Sequence, residues 1–181
     1  MKNRMYNRRA FLKTSSALAA GSLLLPKTGQ SARIKKPNIL IFSCEDISSY
    51  LHCFGDSIAR TPYLDQFAAE GIRYTHFFST LGVCAPSRFA LITGMYPSAC
   101  GGNNMRTNRK NLPDGIPPYE AVPPAEVKCV SELLRANGYY CTNNVKTDYQ
   151  FKPPVTAWDE HSRSAHWKHR PEGMPFFAIF N

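Results

Sequence analysis

The chain has 181 residues, enough for one ordinary domain with a real core; 43% hydrophobic and 12% aromatic residues, with no low-complexity run, exclude a disordered or fibrous protein. Its net charge of +9 looks suited to nucleic acid, but residues 1–32 hold Lys2, Arg4, Arg8, Arg9, Lys13 and Lys27 and no acid, leaving only +3 of the +9 for everything after them. So small a surplus is a solvated surface, and nucleic acid is excluded as a partner.

The leader has the three parts of an export signal in order: a basic stretch from Met1 to Lys13, an apolar segment from Ser15 to Leu25, then Pro26 and small or polar residues up to Ala32. Asn7-Arg8-Arg9-Ala10-Phe11-Leu12-Lys13 resembles a twin-arginine signal, which implies the twin-arginine export machinery as a partner and a periplasmic or extracellular mature protein. Ser15, Ser16, Gly21 and Ser22 dilute the apolar segment, so no stable membrane span is expected there or later. The expected division is 1–32 as export signal and 33–181 as a catalytic portion. Cys44, Cys53, Cys84, Cys100, Cys129 and Cys141 contain no Cys-x-x-Cys pair, which leaves a zinc ribbon unsupported; disulfides are open to an exported chain, but their pairing is not legible.

In chain order, Asn38-Ile39-Leu40-Ile41-Phe42 is continuously apolar, the pattern of a strand buried on both faces. Glu45 and Asp46 stand just beyond its C-terminal end, the edge where open α/β sheets bind ligands. Thr61-Pro62 opens a helix through Glu70 with Gly71 as its stop, and Ile72 to Phe78 reads as a second strand. A helix is expected from Pro86 to Thr93 before Gly94, and a surface loop from Asn108 to Pro124. From Ala125 to Asn137, Val127, Val130, Leu133 and Leu134 share one helical face, closed by Gly138. Tyr139 to Thr142 reads as a strand, residues 150–174 show no period, and Phe176 to Phe180 is a last apolar strand. Strands alternating with helices mean an α/β fold. That last strand is expected to lack cover, a sign of an incomplete domain.

The chemistry centres on Cys84-Ala85-Pro86-Ser87-Arg88, followed by Thr93-Gly94. Here the chain resembles the type I sulfatases, whose hallmark is Cys-x-Pro-Ser-Arg with Thr-Gly shortly after. The resemblance implies an alkaline-phosphatase-like sandwich, a mixed sheet with helices on both faces. It also implies hydrolysis of sulfate esters on a sulfated small molecule or glycan, and a maturation enzyme that oxidises Cys84 to formylglycine. A thiolate attacking sulfur would give a stable thiosulfate ester. A hydrated aldehyde instead offers one hydroxyl to attack and a second whose deprotonation releases sulfate. A helix opening near Pro86 would turn free N–H groups toward the anion, and Arg88 would balance charge.

Further residues carry over from the same resemblance. Pro37-Asn38-Ile39-Leu40 leads to Glu45-Asp46 where the family typically has two aspartates for calcium, so Glu45 and Asp46, with the modified Cys84, are the expected Ca2+ ligands. Gly138 to Asp148 resembles the segment ending in Gly-Lys-Trp-His, which puts Lys146 on the lysine that touches sulfate and Asp148 in place of the histidine. An aspartate there would repel a sulfate. Asn103-Asn104-Met105-Arg106 is either a cleft-lining segment, with Asn104 binding substrate, or a plain polar loop. His161, His166 and His169 fit no zinc spacing and read as loop histidines. Later metal ligands of the family have no counterpart after Asp148, so an incomplete sulfatase, inactive alone, is expected. The alternatives are a phosphonate or phosphate monoester hydrolase of the same superfamily and a secreted non-catalytic binding protein on a decayed scaffold.

Overall fold

In the computed structural model, which describes residues 35–181 apart from 108, 109 and 111, four apolar or mixed segments form one parallel sheet. The export signal lies outside the described residues. The strands are β1 (Ile39–Phe42), β2 (Tyr140–Asn144), β3 (Glu160–His161) and β4 (Phe176–Phe180), in the order β1-β4-β2-β3. Three helices accompany them: α1 (Pro62–Glu70), α2 (Cys84–Thr93) and α3 (Val130–Ala136). The α/β class is the expected one.

The last strand departs from expectation. β4 is central, paired with β1 on one side and β2 on the other, and its first four residues are buried. Successive side chains of a strand point to opposite faces. Phe177 and Ile179 enter the core beside Cys141, with Trp158 stacked on Phe177 at 5.9 Å and 11°. Phe176 and Phe180 point the other way, where Trp167 stacks on Phe176 at 5.6 Å and meets Phe180 edge-on at 5.3 Å. The cover comes from within residues 158–167, a stretch without periodicity, so the sequence alone could not announce it. Exposed apolar surface lies instead on β1, at Leu40 and Phe42.

Two other segments differ. Residues 72–78 are irregular, with Ile72, Tyr74, Phe77 and Phe78 exposed. A strand exists only through its ladder, and β4 is the one neighbour that pairs with β1 among the described residues. The helix expected from Ala125 starts at Val130. Glu132 accepts the Cys129 N–H at 2.9 Å while the Cys129 side chain receives the reciprocal bond from the helix's third N–H, and this capping box sets the start. Val130 and Leu134 then flank a fully buried Ser131, and Leu133 swings round to solvent at 54% exposure. α2 begins two residues earlier than expected, at Cys84 itself, and ends as expected on Gly94, whose φ of 69° lies in the left-handed region.

The histidine-rich stretch binds itself together. His169 Nδ1 lies 2.9 Å from Glu160, Tyr140 Oη donates to the same carboxylate at 2.6 Å, and His161 Nε2 is 2.8 Å from the Val145 carbonyl. No group of three metal-ligating side chains occurs among the described residues. The bonds from Tyr140 and His169 hold the Glu160 carboxyl below its ordinary value of 4.5. A lowered native value means stability that is fully present above the ordinary value and is lost as pH falls through the native one. Glu160→Gln should therefore shrink the stability difference between pH 7 and pH 3, read by denaturant unfolding at both. An unchanged difference would remove Glu160 from the acid response.

Candidate active site

A parallel sheet delivers the C-terminal ends of all its strands to one edge. The segments after β1 and β2 therefore meet there, although about a hundred residues separate them. Lys146 Nζ reaches Glu45 Oε2 at 2.5 Å, and Arg88 Nη1 reaches the other oxygen, Oε1, at 3.2 Å. Arg88 comes from the second turn of α2 and is only 6% exposed. Its Nε donates to the Thr147 carbonyl at 2.8 Å and its Nη2 to the Lys146 carbonyl. One guanidinium thus ties the α2 helix to both strand-end segments, which its rigid fork of donors suits. The Lys146 carbonyl also accepts from Asn143 Nδ2 and Asn181 Nδ2. The bond to Glu45, aided by Cys84 and Asp148 nearby, holds the Lys146 ammonium above its ordinary value despite partial burial.

Cys84 is the first residue of α2. Its predecessor Val83 has no side-chain acceptor, so the first-turn N–H groups are uncapped, and Pro86 has none to offer. Cys84, Glu45, Asp46 and Arg88 line one cavity of about 610 Å3, which Ser87, Leu91, Phe77, Ser79 and residues 81–83 help enclose. Cys84 Sγ lies 3.8 Å from Asp148 Oδ2, and that same oxygen is 4.0 Å from Lys146 Nζ. Among the described residues, the non-glycine positions with positive φ are Asp46, Ser48, Asp148 and Gln150, at 57°, 46°, 46° and 63°. Asp46 and Ser48 line this cavity and Asp148 approaches Cys84, so strained backbone gathers around the site, as it does where it serves function.

The structure therefore brings together Cys84, Arg88, Lys146, Glu45, Asp46 and Asp148. Asn104 takes part through its backbone: its carbonyl accepts from Gln150 Nε2, and its side chain is exposed. The donor chemistry of Glu45 and Asp46 suits a hard cation. Two carboxylates leave most of its six to eight oxygen positions to other groups, and Glu45 is already held by two cations.

Sequence reasoning overlooked Gln150, and it named Arg106 only within the segment Asn103 to Arg106, without its partner Asp148. Gln150 is fully buried, and Arg106 donates to Asp148 Oδ1 at 2.8 Å. Neither carries a motif, and 44 residues separate them. No disulfide joins any of the six cysteines, and burial pushes the thiols of Cys129 and Cys141 up to about 12.

A family model for sulfatases matches residues 37–167. The chain is 58% identical over 147 residues to an ulvan-active sulfatase of Formosa agariphila, covering 81% of this chain and 25% of that protein. It is 34% identical over 114 residues to human N-acetylgalactosamine-6-sulfatase, covering 61% of this chain and 21% of that one. The chain thus spans about a quarter or less of the length of these curated relatives. The fold is similar to that of a protein solved in complex with its substrate D-glucosamine-2-N,6-O-disulfate, with a TM-score of 0.60 at 18% identity over 81% of this chain and 34% of the other. With its strand-end carboxylates, its Cys-x-Pro-Ser-Arg helix start and a family match over most of its length, the chain belongs to the sulfatase family.

Proposed function

We propose that this chain carries the nucleophile-bearing part of a sulfuric ester hydrolase that acts on sulfated carbohydrates, with formylglycine derived from Cys84. The observation that carries the reading is the position of Cys84 at the uncapped start of α2, in one cavity with Glu45 and Asp46 and within reach of the Lys146 and Asp148 segment. When formed, the aldehyde supplies through its hydrate an attacking hydroxyl and a second hydroxyl whose deprotonation frees sulfate. Calcium, when bound, supplies Lewis acidity at the sulfate oxygens, and this stretch contributes Glu45, Asp46 and the modified Cys84 to it.

The chain's own groups then have separate tasks. Uncapped N–H groups at the start of α2 favour an anion beside residue 84. Lys146, a half-buried ammonium paired with Glu45 and 4.0 Å from Asp148, is suited to a sulfate oxygen. Arg88, enclosed and fully bonded, fixes the carboxylate of Glu45 and the Lys146–Thr147 backbone. The carbohydrate class is supported by the relatives, whose names include an N-acetylgalactosamine-6-sulfatase. Export through the twin-arginine route and conversion by a maturation enzyme complete the reading.

The test is peptide mass spectrometry at residue 84 after co-expression with a maturation enzyme, followed by a panel of sulfate, phosphonate and phosphate esters. The expected result is a hydrazine-reactive aldehyde and preference for sulfate esters. Preference for phosphonate or phosphate esters would move the protein to another branch of the superfamily. A persistent thiol, in a host that converts a control sulfatase, would favour a non-catalytic binding protein.

A further inference from the structure

Asp148 poses an electrostatic difficulty for any site that accepts a sulfate. Its carboxylate lies 3.8 Å from Cys84 Sγ, where the ester must react, and like charges repel. The site contains the remedy. Arg106 donates to the outer oxygen of Asp148 at 2.8 Å while the inner oxygen faces Cys84 and Lys146. Three carboxylates, Glu45, Asp46 and Asp148, are thus matched by three cations, Arg88, Lys146 and Arg106. Arg88 and Lys146 are already engaged by Glu45, which leaves Arg106 as the close partner of Asp148.

Arg106 does not reach Asp148 by chance of a loose loop. Gln150, whose side chain has no exposed surface, accepts the Arg106 N–H on Oε1 at 3.0 Å and donates from Nε2 to the carbonyls of Gly102 and Asn104. All three bonds go to the backbone of residues 102–106, so a buried amide holds this segment in one shape. Gly102 meanwhile lies flat on the buried ring of Phe89 of α2, where a Cβ would come within 3.1 Å. The segment is anchored to the same helix that carries Cys84.

We propose that Arg106, held in place by Gln150, is a positioning residue that cancels the charge of Asp148 and so admits an anionic ester beside residue 84. The proposal rests on the functional reading above for the identity of that ester. Asp148 remains available as a hydrogen-bond acceptor at the reacting position, and its negative charge is returned to the protein. Arg106 acts through Asp148 and not on the ligand.

A charge cycle tests this on the matured protein at its natural length, using Arg106→Met, Arg106→Lys, Asp148→Asn and the Arg106→Met/Asp148→Asn double variant. Inorganic sulfate binding is read by calorimetry, and KM and kcat are measured on an aryl sulfate. Arg106→Met should weaken sulfate binding and raise KM by roughly ten- to hundredfold, with a smaller change in kcat. Arg106→Lys should retain most of the binding, and the double variant should bind within about threefold of Asp148→Asn alone. A loss from Arg106→Met that persists undiminished in the Asp148→Asn background would overturn the proposal, because Arg106 would then contact the ligand itself. An Arg106→Met variant that binds sulfate as wild type does would also overturn it. If the wild type turns over phosphonate esters in place of sulfate esters, the functional reading fails, and the same cycle read with inorganic phosphate still decides the role of Arg106. A wild type that binds neither anion overturns both.

Discussion

Cys84→Ala is expected to reduce sulfate release to background, a loss of roughly four orders of magnitude or more. The argument is covalent: in the proposed reaction residue 84 supplies the group that is transiently sulfated, and of the nucleophilic side chains lining the cavity, which include Cys44 and Ser87, only Cys84 opens the α2 helix. The substitution is mild for the fold. Alanine is the best helix former, residue 84 opens α2, and the side chain's polar contact is one long approach to Asp148 at 3.8 Å. Initial rates on an aryl sulfate, together with circular dichroism and thermal unfolding, separate loss of chemistry from loss of structure. A folded variant retaining more than about 1% of the rate would place the nucleophile elsewhere.

Arg88→Met should cost about 3–5 kcal/mol of stability, the range for removing one partner from a buried ionic network. Arg88 is 6% exposed, and its three donor nitrogens hold Glu45, the Thr147 carbonyl and the Lys146 carbonyl, with the guanidinium 5.7 Å above the Tyr149 ring. Methionine fills some of the volume and satisfies none of these acceptors. Lys146 still neutralises Glu45 in part, and Asn143 and Asn181 still reach the Lys146 carbonyl, so the Thr147 carbonyl is the group left most exposed to the loss. Arg88→Lys should recover only part, because an ammonium cannot reproduce the fork. Denaturant unfolding measures both. A methionine variant within about 1 kcal/mol of wild type would show that the network contributes little. The spacing from Cys84 to Arg88 therefore reflects architecture as well as charge: the same helix start that presents Cys84 inserts the tie between the segments after β1 and β2.

The candidate site was legible where chemistry is local. Cys84 to Arg88 is a contiguous motif, Glu45 and Asp46 follow directly on an apolar strand, and Gly94 terminates a helix because a left-handed residue must. Local signals failed where the outcome depends on a distant partner. The run from Ile72 to Phe78 has strand composition, but no neighbouring strand pairs with it. Leu133 has the right period, but Val130 and Leu134 pack against the core while Leu133 is 54% exposed, because which edge of an apolar stripe is covered depends on its distant partners.

What the sequence by itself determined is the reactive motif, the α/β class and the strand whose end carries two acids, because each follows from side-chain chemistry or short-range periodicity. Only the tertiary structure decided that β4 lies between β1 and β2, and hence that Glu45 and Lys146 touch. It alone joined Arg106, Asp148 and Gln150 into one unit. Such contacts are set by strand order and by the burial of a polar amide among backbone groups, and neither leaves a periodic trace along the chain.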